Sequence, residues 1–75
     1  MAKAISHYFK RTFEDYQVLV MVNPGDWTGI ELIVHPDGKI EKTDIEADED
    51  IFEDLEADEF TSCSPLEFQL TLAKI

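Results

Sequence analysis

The stretch that most constrains this chain is Gly29 to Ile45, where two β-prone runs flank Pro36-Asp37-Gly38. Pro36 presets the φ of a type I turn, Asp37 suits its second corner, and Gly38 can take the positive φ of a three-residue hairpin. Counting outward pairs His35 with Lys39, Val34 with Ile40 and Leu32 with Lys42. Ile30, Leu32, Val34 and Ile40 then share one face and form an apolar wall.

The other segments extend this hairpin into a sheet. Tyr16 to Val22 is rich in Val and Leu and reads as a strand, closed by the turn cluster Asn23-Pro24-Gly25-Asp26. Before it, Ile5, Phe9 and Phe13 suit either a helical stripe or one parity of a strand. A helix would have to stop at Glu14-Asp15 without Gly, Asn or Pro, so a strand over Ile5 to Thr12 is preferred. Short connections favour a four-stranded antiparallel meander.

Beyond it the composition changes, because eleven of the seventeen acids fall between Glu41 and Glu59. Ile51, Phe52 and Leu55 have helical spacing there, so Asp48 to Glu56 is expected as a short acidic amphipathic helix packed on the sheet. Glu56, Asp58 and Glu59 oppose its dipole and should make its end fray. In the last segment Ser64, Pro65 and Glu67 resemble a helix start. Leu66, Phe68, Leu70 and Leu72 nevertheless alternate with polar or small residues, which favours a closing strand. The expected fold is one α+β domain over residues 1–75: an antiparallel sheet of four to five strands, with one acidic helix on one face. The other face is left for solvent or association, with Leu19, Met21 and Ile33 off the main core.

Charge then limits the function. Seventeen acidic against six basic side chains give a net charge of −11, which disfavours direct contact with nucleic acid or an anionic membrane. The longest apolar run, Val18 to Val22, is too short to span a bilayer. One cysteine and no secretory hydrophobic segment fit a cytoplasmic setting. A chain of 75 residues buries only roughly 60% of its unfolded surface, so a homodimer would add useful burial. A basic protein is the other natural partner.

No residue pattern points to catalysis or a cofactor. Asp44, Glu46, Asp48 and Asp50 alternate like calcium-loop ligands, but Glu49 stands where the loop needs Gly and Leu55 where it needs Glu. His7, His35 and Cys63 lack the close spacing of a zinc site. Cys63 has no basic neighbour to favour a thiolate, and neither Ser62 nor Ser64 sits in a nucleophile elbow. Gly25, Gly29 and Gly38 are all read as turn glycines.

Protein contact is the remaining class. Trp27, in a loop, is either a contact anchor or a lid on the open end of the core. The acidic helix spans roughly 13 Å, and its six acids approach the roughly eight charges that duplex DNA carries over that length. Glu53, Asp54 and Glu56 are therefore the contact candidates of an acidic mimic. The expected function is a non-catalytic accessory or interaction domain; the alternatives are a nucleic-acid mimic that inhibits a basic protein, and a small enzyme or metal binder.

Overall fold

The computed structural model describes residues 6–75. The elements are β1 (His7–Thr12), β2 (Gln17–Asn23), β3 (Thr28–Val34), β4 (Ile40–Glu46), α1 (Ile51–Ala57), β5 (Thr61–Ser62) and α2 (Pro65–Leu72). One open antiparallel sheet has the order β4-β3-β2-β1-β5. The first four strands form the expected meander, and β5 returns to the outer edge of β1. Ile5, the start of the expected first strand, lies outside the described residues.

The central hairpin has the expected register: Val34 faces Ile40 and Leu32 faces Lys42. His35 donates its N–H to the Lys39 carbonyl, Gly38 donates to the His35 carbonyl, and Gly38 has φ 91°. Asp37 Oδ1 accepts from the Lys39 N–H and completes the turn. The first hairpin turns at Glu14-Asp15 without glycine, since neither residue takes a positive φ. Phe13 and Tyr16 stack across it at 4.6 Å, and the Arg11 guanidinium lies 4.4 Å over the Phe13 ring. Aromatic stacking and a cation–π contact hold a reversal that local turn chemistry does not mark.

Strand alternation sends apolar side chains to both faces of the sheet, and each face has its own helix. Val18, Val20 and Val22 pack with Leu55 of α1, flanked by Phe9, Phe13, Trp27, Ile33, Ile45, Ile51, Phe52 and Phe60. Opposite them, Leu19 and Leu32 pack with Cys63 and Phe68, bordered by Tyr8, Met21, Ile30, Val34, Ile40 and Leu72. The hairpin wall is therefore covered by α2, and Leu19, expected off the core, is fully buried.

The expected closing strand over Leu66 to Ala73 is instead the helix α2. Ser64 Oγ accepts from the Leu66 N–H at 3.2 Å, and Pro65 occupies the first turn. Only the cap half of the sequence signal is used. Glu67 does not reach back to its own helix start but pairs with Lys10 Nζ on β1 at 2.9 Å. Phe68 and Leu72, four apart, descend onto the sheet. On the β1 side of the sheet the outer position is taken by β5, which pairs with Phe9 and Lys10.

Helix α1 ends more firmly than its acidic terminus suggests. Phe60 N–H reaches the Leu55 carbonyl and Glu59 N–H the Glu56 carbonyl, at 2.9 and 3.0 Å, with Glu59 at φ 65°. This is a Schellman closure with Glu in the place favoured by Gly. Arg11 Nη1 donates to the Asp58 carbonyl at 2.7 Å, and Nη2 lies 3.5 Å from the Glu59 carboxylate. A cation from β1 thus offsets the helix dipole where α1 itself offers only acids.

Candidate functional site

The face that carries α1 holds every contact candidate read from the sequence. Glu53, Asp54 and Glu56 are all exposed and take part in no ion pair among the described residues. Ile51, Phe52 and Leu55 turn inward and leave all three acids to solvent, with Glu53 and Glu56 neighbours at i, i+3 and Asp54 further round the helix. Asp48 is used in the approach to the helix, where its Oδ1 accepts from the Asp50 N–H at 3.0 Å.

Trp27 does not stand free of this surface. It is half-buried, and its ring lies 5.8 Å from Phe52. Phe52 also meets His7 at 4.9 Å and Phe9 at 5.9 Å, so one helix side chain gathers rings from β1 and from the β2–β3 loop. Trp27 holds φ 57°, donates its N–H to the Asn23 carbonyl and accepts from the Ala47 N–H. Both backbone bonds and the ring contact hold it against the α1 core, with part of the ring still open to solvent. Beside it, Asp26 Oδ1 accepts from Thr28 Oγ1 at 2.6 Å and from the Thr28 N–H at 3.0 Å, which holds the Asp26 carboxyl below the usual carboxylate range.

The groups considered for catalysis or metal binding are scattered. His7 packs on Phe52 on the α1 face, whereas Cys63 is buried in the α2 core. His35 Nε2 contacts Glu41 across the central hairpin. Among the described residues, no three His, Cys, Asp or Glu side chains form a metal-sized group. Burial first, and then the Glu67 carboxylate, push the Cys63 thiol above its ordinary pKa, so the geometry keeps it protonated.

One surface was not legible beforehand. Leu66 and Leu70, one turn apart on α2, are 66% and 58% exposed while Phe68 between them is fully buried. The strand reading puts all four apolar residues of this segment on one side; the helix sends two of them outward. An i, i+4 count over the last segment would have found the pair. Comparison with known protein families, curated proteins and solved structures finds no match to this chain.

Proposed function

We propose that this chain is a non-catalytic accessory or protein-interaction domain, acting in the cytoplasm with a second copy or a basic protein as its partner. The observation that carries this reading is the Leu66–Leu70 pair. A short helix on a small, highly charged domain keeps two large apolar side chains in water, and a clustered pair of this kind gains most when a partner covers it. The second reading, an acidic mimic directed at a basic protein, is supported by the exposed carboxylates of Glu53, Asp54 and Glu56.

Affinity capture with the full chain at low and high salt tests both. A specific partner lost with Leu66→Ser/Leu70→Ser, but held at high salt, supports the apolar contact. A partner released by salt, and by Glu53→Gln/Asp54→Asn/Glu56→Gln, supports the mimic. Capture that neither set of substitutions alters would sink both.

A further inference from the structure

The two edges of the sheet differ sharply. At one side β5 contributes only Thr61–Ser62. At the other, β4 is a full strand of 7 residues, Ile40–Glu46, with everything except Ile40 and Ile45 exposed. The hydrogen bonds at its two ends define which way its backbone points. His35 N–H meets the Lys39 carbonyl, and Ala47 N–H meets the Trp27 carbonyl. Odd-numbered residues of β4 therefore bond inward to β3, and Ile40, Lys42, Asp44 and Glu46 direct their N–H and C=O groups outward. An open row of this kind is a template for another strand.

We infer that β4 pairs antiparallel with β4 of a second copy, about a two-fold axis at Thr43, to make one continuous sheet of ten strands. This inference goes beyond the interaction reading carried by Leu66 and Leu70, since it uses a different surface, the β4 edge. The outward-pointing groups must meet each other, which restricts the register to even residues opposite even residues. Full overlap of Ile40–Glu46 satisfies this and sets Lys42 opposite Asp44 of the second copy, and Asp44 opposite its Lys42. Thr43 faces Thr43, and Glu41 faces Ile45. No like charges stand directly opposite. Sliding by one allowed step puts either Asp44 against Asp44 or Lys42 against Lys42 at the axis, which is unfavourable.

Within one chain Lys42 Nζ already lies 3.9 Å from Asp44 Oδ1. Pairing two copies would close four side chains into a ring of alternating charge. The contact is narrow, roughly 23 Å of strand, and both copies are strongly acidic. It is therefore a concentration-dependent association rather than a permanent one.

Sedimentation velocity of the full chain, from micromolar to millimolar, tests it. The expected result is a reversible dimer, with amide exchange at Lys42 and Asp44 slowing only as concentration rises. Lys42→Glu alone and Asp44→Lys alone should each weaken the dimer by roughly tenfold or more, since each opposes like charges twice. Asp44→Lys also reduces the net negative charge of each copy, so its loss of pairing would isolate the local register from bulk repulsion. An equimolar mixture of the two variants should restore association as a heterodimer, with circular dichroism reporting both as folded. A monomer at every concentration overturns the inference, as does a dimer that neither reversal weakens. Protection of β4 only on adding an extended Lys-rich peptide would overturn the second copy as occupant. None of these results decides the capture experiment, so failure here and failure of the interaction reading are separable.

Discussion

Gly29 lies directly against the backbone carbonyl of Met21: a Cβ added at position 29 would collide with that oxygen and sit 3.2 Å from Ile45 Cγ1. Gly29 is thus a buried strand residue of β3 rather than the turn glycine its sequence neighbourhood suggested. Gly29→Ala should cost about 1–3 kcal/mol, because a ladder carbonyl cannot move aside as a side-chain tip can. Gly38 makes the contrast, with φ 91° and open space around it. Gly38→Asn should be tolerated far better than Gly38→Ala, as Asn accepts positive φ, whereas Gly29→Asn should be worse than Gly29→Ala. Urea unfolding of the four variants checks the pair.

Glu59 carries the positive φ that closes α1. Glu59→Gly should stabilise the fold by about 0.5–1 kcal/mol, relieving a left-handed backbone that disfavours a Cβ. The ion pair lost with Arg11 is long and its carboxylate exposed, so it offsets little. A rise in thermal midpoint is the expected reading, and a fall would show that the carboxylate matters more than the backbone.

On α2, Phe68 and Leu66 should separate cleanly. Phe68→Ala removes a fully buried ring and should cost about 3–5 kcal/mol, enough to threaten a domain of this size. Leu66→Ser, at an exposed position, should stay within about 0.5 kcal/mol. Equal effects in denaturant melts would contradict the placement of α2 with Phe68 facing the sheet.

The raised Cys63 pKa gives a pH dependence with a definite sign. Folding holds the thiol protonated, so the unfolded chain ionises first as pH rises. Stability from this group is intact below about pH 9 and is lost as pH climbs through the higher folded value. Cys63→Ala should flatten that alkaline decline. At pH 8 the native chain should react with iodoacetamide much more slowly than the urea-unfolded chain.

The sheet was legible because its signals are local. Pro36-Asp37-Gly38 defines its own turn, and the β-prone runs beside it pair without help from distant residues. The α1 stripe was legible for the same reason, since Ile51, Phe52 and Leu55 are neighbours on one short helix. Glu53, Asp54 and Glu56 followed as its outer face, which is why the acidic candidates are exposed as expected.

Trp27 and the last segment had no such self-sufficiency. The sequence offers Trp27 as lid or anchor, and the ring that packs against it, Phe52, lies 25 residues later in the chain. For Leu66 to Leu72 the local pattern admitted two periodicities at once. By itself the sequence determined the hairpin, the antiparallel meander and a charged helix beside it, all from contacts between residues close along the chain. Only the tertiary structure decided that the closing segment is a helix. Leu19 and Leu32 present an apolar face that Phe68 and Leu72 cover from above, and a fit between residues so far apart leaves no mark on either stretch read alone.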